Sequence, residues 1–156
     1  MDNDMKKAIS VFNALCSYLK KNDLGFDADE ETLSVSLGFY TNDISVDFII
    51  NVDAQRQIFY VNSTLPFKMS KDNIKDGAVA TSCVNESLLA GSFDFDIDTG
   101  SIRFRMVNCF KESLISEDVF DYALHVSLNT VDEFNDKFLL LDEGKLSVND
   151  FFDLLH

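Results

Sequence analysis

Leu33-Ser34-Val35-Ser36-Leu37-Gly38-Phe39-Tyr40, followed after Thr41-Asn42-Asp43 by Ile44-Ser45-Val46-Asp47-Phe48-Ile49-Ile50-Asn51-Val52, is the stretch that decides the fold of this 156-residue chain. Apolar and polar residues alternate with a period of two, the pattern of a strand with one buried face. A two-residue turn at Asn42-Asp43 sets Phe39 against Val46, Leu37 against Phe48 and Val35 against Ile50. The large apolar residues then share one side of an antiparallel pair, whereas a slip of one residue would send one strand's set to the other face. A second turn near Asp53-Ala54-Gln55-Arg56 leads into a third strand, with Ile50 expected opposite Phe59 and Phe48 opposite Val61. Residues 33–64 thus read as a three-stranded meander, with Pro66 in the link beyond it.

On the N-terminal side the period changes to 3.6. Met5, Ala8, Ile9, Phe12, Leu15, Cys16 and Leu19 share one face of a helix. Asp2, Asn3 and Asp4 supply its caps, and Lys20 and Lys21 suit the negative end of its dipole. After the meander, Ser70 is a suitable N-cap for a helix over 71–89. Its segment Gly77-Ala78-Val79-Ala80-Thr81-Ser82 is small enough to let a helix approach a sheet closely.

Gly91 to Cys109 reads as a second hairpin, with Phe93, Phe95 and Ile97 facing inward and matched by Ile102, Phe104 and Met106. A two-residue turn at Thr99-Gly100 sets Asp96 opposite Arg103 and Asp94 opposite Arg105, and such pairs contribute roughly 0.2–1 kcal/mol each. A three-residue loop would place Asp96 opposite Ile102, so the charges favour the two-residue turn. A long helix over 117–140 follows, with Val119, Ala123, Val126, Thr130, Phe134 and Phe138 as its inward stripe. Ser147-Val148-Asn149-Asp150 resembles a capping box with Asp in place of Glu, opening a short last helix. The expected architecture is α+β, an antiparallel sheet flanked by helices in the order α-βββ-α-ββ-α-α, forming one domain over residues 1–156.

Composition narrows the class. Thirteen Lys and Arg stand against twenty-seven Asp and Glu, a net charge of −14. That opposes nucleic acid, whose phosphates require clustered cations, and an anionic membrane surface. Fifteen Phe and one Pro do not suit a disordered chain. No signal-like apolar run and no stretch of about 18 apolar residues occurs, so a cytoplasmic location is expected. Charge is uneven: residues 1–78 hold twelve acids and eight bases, a net of −4, and residues 79–156 hold fifteen acids and five bases, a net of −10.

Nothing in the spacing points to catalysis or a cofactor. Asp94-Phe95-Asp96-Ile97-Asp98-Thr99-Gly100 has the acids of a calcium loop, but Thr99 and Arg105 occupy the positions that need Gly and Glu. Cys16, Cys83 and Cys109 form no CxxC pair and have no histidine near them in sequence, so neither a disulfide framework nor zinc is expected. His125 lies opposite its helix's inward stripe, near Asp118, Asp121 and Asp132, as a solvated histidine would; His156 is the last residue. No nucleotide-binding, zincin or serine-nucleophile pattern is present.

Surplus apolar positions are more informative. Ile49, Ile58 and Tyr60 interrupt the polar face of the meander, where the expected register brings Ile49 opposite Tyr60. Leu124 and Leu128, with Phe151, Phe152, Leu154 and Leu155, exceed what one helical stripe requires. Exposed apolar patches mark interfaces, so Ile49, Ile58, Tyr60, Leu124, Leu128, Phe151 and Phe152 are the candidate partner-binding residues. The alternative for the last helix is burial against its own chain.

Val84-Asn85-Glu86-Ser87-Leu88-Leu89-Ala90-Gly91-Ser92-Phe93-Asp94-Phe95-Asp96 and Asp98-Thr99-Gly100-Ser101-Ile102-Arg103-Phe104-Arg105 resemble the hairpin of the YbjN-type family, bacterial proteins described as sensory transduction regulators. The similarity runs on through Thr130, Phe134 and the exit Leu141-Asp142-Glu143-Gly144, covering at least residues 84–145. It implies the fold of type III secretion chaperones, a helix-flanked antiparallel sheet that often dimerises, and it carries over no catalytic residues. The function expected is therefore a non-enzymatic protein-binding module, chaperone-like or regulatory, homodimeric and without cofactor or metal. The competing expectation is an acidic inhibitor or immunity-type protein that neutralises a basic enzyme.

Overall fold

The computed structural model describes residues 3–41, 44–113 and 115–155. Helix α1 (Asn3–Lys21) leads into strands β1 (Asp27–Asp29), β2 (Ser34–Tyr40), β3 (Ser45–Asp53) and β4 (Ile58–Lys68). A 3-10 turn (Lys71–Asn73) and α2 (Ile74–Ser87) follow, then β5 (Ser92–Phe95), β6 (Ser101–Cys109), α3 (Glu117–Asp142) and α4 (Val148–Leu155). The strands make one antiparallel sheet in the order β1-β2-β3-β4-β6-β5. This is the expected α+β class with one added strand: β1, three residues long, pairs with β2 through Asp27–Ser36 and Asp29–Ser34. All three of its residues are exposed, so it carries no hydrophobic alternation to betray it.

The β2–β3 register is the expected one, with Phe39 against Val46, Leu37 against Phe48 and Val35 against Ile50. The turn residues Asn42 and Asp43 lie outside the described residues, as do Asp2 and His156. The two other expected registers are each wrong by two residues. Ile50 faces Val61 rather than Phe59, and Phe48 faces Ser63. Asp53 pairs with Ile58 instead, leaving a four-residue connection. Asp53 stabilises that longer turn by accepting the Arg56 backbone N–H at 2.8 Å, and Gln57 occupies the left-handed region at φ 54° with its amide donating to Ala54 O at 2.6 Å.

In the second hairpin Asp94, not Asp96, stands opposite Arg103, and Phe93 opposite Phe104. Asp96 starts the turn. Its carboxylate accepts the N–H groups of Asp98 (2.9 Å) and Thr99 (3.1 Å), and Gly100 N–H donates to its carbonyl at 2.7 Å. A hydrogen bond from the Thr99 side chain foremost, with the two backbone N–H groups, holds the Asp96 carboxyl below the usual range. Ile97, expected inward, is exposed in this turn. A shift of two residues preserves every side chain's face, so alternation alone cannot detect it.

Beyond Thr64, β4 continues through Pro66 to Lys68. Between the pairs Thr64–Arg103 and Lys68–Ser101 three residues oppose the single Ile102, a bulge that accommodates a proline without a ladder N–H. Ser70 does not cap with its side chain. Its backbone N–H donates to Asp142 Oδ1 at 2.7 Å, tying the α2 entrance to the end of α3. Asn73 Nδ2 adds bonds to Asp142 O (2.8 Å) and Oδ1 (3.2 Å). Burial opposes ionisation of Asp142, but these donors outweigh it and hold its carboxyl below the ordinary range.

The helices cover one sheet face, and the buried residues from Ala8 to Phe151 form one core. A Cβ added to Gly77 would lie 2.9 Å from both Met69 and Phe95, so α2 does approach the sheet as its small residues suggest. Helix α3 buries a wider arc than the expected stripe. Phe120, Leu124, Ser127, Val131 and Asn135 are buried, while Val119 and Val126 are half-buried. Packing against both α1 and the sheet explains this, as Phe120 meets Phe59 at 5.2 Å and Tyr18 at 6.0 Å between ring centroids. The Ser147–Asp150 capping box forms, with Ser147 N–H donating to Asp150 Oδ2 at 2.7 Å and Asp150 N–H to Ser147 Oγ at 3.2 Å. It sets α4 back against α2, with Phe151 buried beside Phe138 at 5.4 Å.

Candidate interaction surface

The second sheet face is not covered by any helix of the described residues. Its outward positions follow from register. Ser36, Ile49, Asn62 and Arg105 make one row across β2, β3, β4 and β6, and Ser34, Asn51, Tyr60 and Val107 make the next. Ile49 is therefore opposite Asn62, not Tyr60, and reaches Tyr60 only diagonally. Ile49 and Val107 are 48% and 50% exposed, and Ile58 and Tyr60 are half-buried. The three residues expected on this face do share it, and Val107 joins them. Val107 lay in plain view in the sequence, at the outward phase of Ile102-Arg103-Phe104-Arg105-Met106-Val107.

Between Ile58, Tyr60 and Val107 on one side and the arginines Arg56, Arg103 and Arg105 on the other lies a shallow concavity of about 400 Å³. Asp94 Oδ2 accepts from Arg103 at 2.8 Å and Asp94 Oδ1 from Arg105 at 3.0 Å. Asp53 holds Arg56 at 2.7 Å, and the bonds from Arg56 keep the Asp53 carboxyl below its ordinary range.

The remaining candidates are scattered. Leu124 is buried and Leu128 half-buried on the helical side, around a small crevice of about 90 Å³ that Tyr18, Leu24, Phe39 and His125 also line. Tyr18 donates to Asp121 Oδ1 at 2.7 Å; its burial, reinforced by that carboxylate, pushes its pKa up to about 12. His125 is exposed, its Nδ1 at 2.9 Å from Asp121 O. Phe151 is fully buried within its own chain, so burial takes it and Leu124 off the surface; Phe152 stays exposed at 49%. The structure thus unites Ile49, Ile58 and Tyr60, and separates them from Leu124, Leu128, Phe151 and Phe152. Cys109 is exposed, whereas Cys16 and Cys83 are half-buried, and all three are free thiols.

No family model matches the chain, and no curated protein matches its sequence. Solved structures do. A chain from the crystal structure of the ExsC–ExsE complex matches with a TM-score of 0.61 over 87% of this chain and 96% of that one, at 17% identity. YbjN from E. coli, described as a candidate transcription regulator, matches with a TM-score of 0.61 over 86% of this chain and 93% of its own, at 14% identity. The likeness is one of fold, and it is the fold that the hairpin resemblance implies.

Proposed function

We propose that this chain is a non-enzymatic protein-binding module, chaperone-like or regulatory, that works as a homodimer in the cytoplasm. The observation that carries this reading is the uncovered sheet face. Its exposed Ile49 and Val107 flank half-buried Tyr60, an apolar group on a largely polar surface that also carries Ser, Asn and Arg side chains. A shared fold with a chain solved in a protein–protein complex is consistent with it. Sedimentation equilibrium tests the dimer, with an expected mass of twice 17.6 kDa. Ile49→Asp on the sheet and Leu128→Ser on the helical side report which surface closes it. A strict monomer in the wild type sinks the dimer.

A second reading is an acidic inhibitor of a basic protein, favoured by one observation: Asp118, Glu133 and Asp136 of α3 are all exposed. Binding through such charges is abolished when they are reversed to Lys, whereas binding through the sheet face survives that change.

A further inference from the structure

All three arginines of the chain, Arg56, Arg103 and Arg105, line a single concavity on the open sheet face, and none of the ten lysines does. With Asp53 and Asp94 they leave a local net charge of +1 inside a molecule of −14. Arginine suits such a place. Its guanidinium is weakly hydrated, stays charged, and offers a planar fork that matches carboxylates. Asp94 takes one Nη2 donor from each of Arg103 and Arg105. Each guanidinium has five N–H donors, so several remain for a ligand. The same contacts fix both forks before any partner arrives, which lowers the ordering cost of binding.

The strand supplies a spacing. Arg103, Arg105 and Val107 are alternate residues of β6 and point outward together, each about 6.6–7 Å from the next. An extended peptide presents its own alternate side chains at the same interval. Ile58 and Tyr60 on neighbouring β4 extend the apolar end of this row. Nucleic acid fits less well, because its backbone carries a charge at every nucleotide, whereas this row offers two arginine forks and then the apolar Val107 and Tyr60. We propose, building on the protein-binding reading above, that this concavity binds an extended acidic segment of a partner protein. Two carboxylates at alternate positions engage Arg103 and Arg105, and an apolar residue two further along covers Val107 and Tyr60.

The test is fluorescence anisotropy on the full chain with a labelled synthetic peptide of two Glu-Thr-Glu-Thr-Leu repeats. The comparisons are the same peptide with Lys for Glu, with Gln for Glu, and a single-stranded DNA oligonucleotide of equal charge. Saturable, salt-sensitive binding of the Glu peptide is expected. It falls at least tenfold in Arg103→Gln/Arg105→Gln and in Val107→Asp, while unchanged melting curves show that both variants fold. Equal binding of the Gln peptide, lost in Val107→Asp, overturns the acidic assignment and leaves the sheet face as a docking surface. Equal or tighter binding of DNA, or Glu-peptide binding indifferent to the arginines, overturns the proposal. Binding of no peptide overturns this inference, and a partner mapped instead to the helical side overturns the reading it rests on as well.

Discussion

Gly100 closes the β5–β6 hairpin at φ +73°, and a Cβ built there would lie 2.3 Å from the Met69 carbonyl oxygen. That contact is with backbone, so no side-chain rotation relieves it. Alanine in the left-handed region costs about 1–2 kcal/mol by itself. Moving Met69 away also strains the Met69 N–H bond to Gly100 O, 2.9 Å long and worth about 1 kcal/mol. Gly100→Ala should therefore destabilise by about 3 kcal/mol, lowering the Tm by about 6–12 °C for a domain of this size. Gly144→Ala is the internal control. Gly144 has φ +69° but nothing within 4 Å of its Cβ position, so it bears the conformational cost alone, about 1–2 kcal/mol. Urea unfolding of both variants, with the slope checked for two-state behaviour, measures the difference. If Gly100→Ala costs no more than Gly144→Ala, the tight packing of the hairpin turn against the end of β4 is wrong.

Asp142→Ala removes two hydrogen bonds to a charged acceptor and should cost about 2 kcal/mol in chemical denaturation. Because the folded Asp142 carboxyl titrates below its ordinary value, that contribution is present above about pH 4 and lost as pH falls through the folded value, so wild type and variant should converge in acid. The raised Tyr18 pKa acts at the other end. The folded state keeps a proton that the unfolded chain releases above pH 10, so stability present below pH 10 declines towards pH 12. Discounted for solvent around Asp121, this amounts to about 1 kcal/mol and should be missing from the alkaline profile of Tyr18→Phe. Phe151→Ala should cost about 3 kcal/mol through the cavity left beside Phe138, whereas Leu154→Ser, at a position 57% exposed, should stay within about 0.5 kcal/mol by thermal melting.

The strand faces and helix positions were legible in the sequence because burial imposes a period, and a period can be read. Val35, Leu37, Phe48 and Ile50 could hardly pair otherwise across a short turn. Turn length was legible only there. At Asp53 and at Asp96 a carboxylate gathers local backbone N–H groups into a longer turn, and the resulting slip of two leaves every face intact. Strand β1 escaped because all three of its residues are exposed, and its hydrogen bonds leave no mark on composition. Ile49, Ile58 and Tyr60 were identifiable as apolar residues out of phase. Leu124 and Phe151 were out of phase too, but α1 and α2 supply second surfaces that bury them, a tertiary fact that no single helix's periodicity contains. The arginine concavity needed the β4–β6 pairing, which joins segments some forty residues apart in sequence.

The most direct test of the sheet face as the working surface is affinity capture from native lysate of the source cells, comparing wild type with an Ile49→Asp/Val107→Asp variant that melts normally. The account predicts a partner retained by the wild type and lost by the variant. A partner held equally by both, and released instead by charge reversal at Asp118, Glu133 and Asp136, would contradict it.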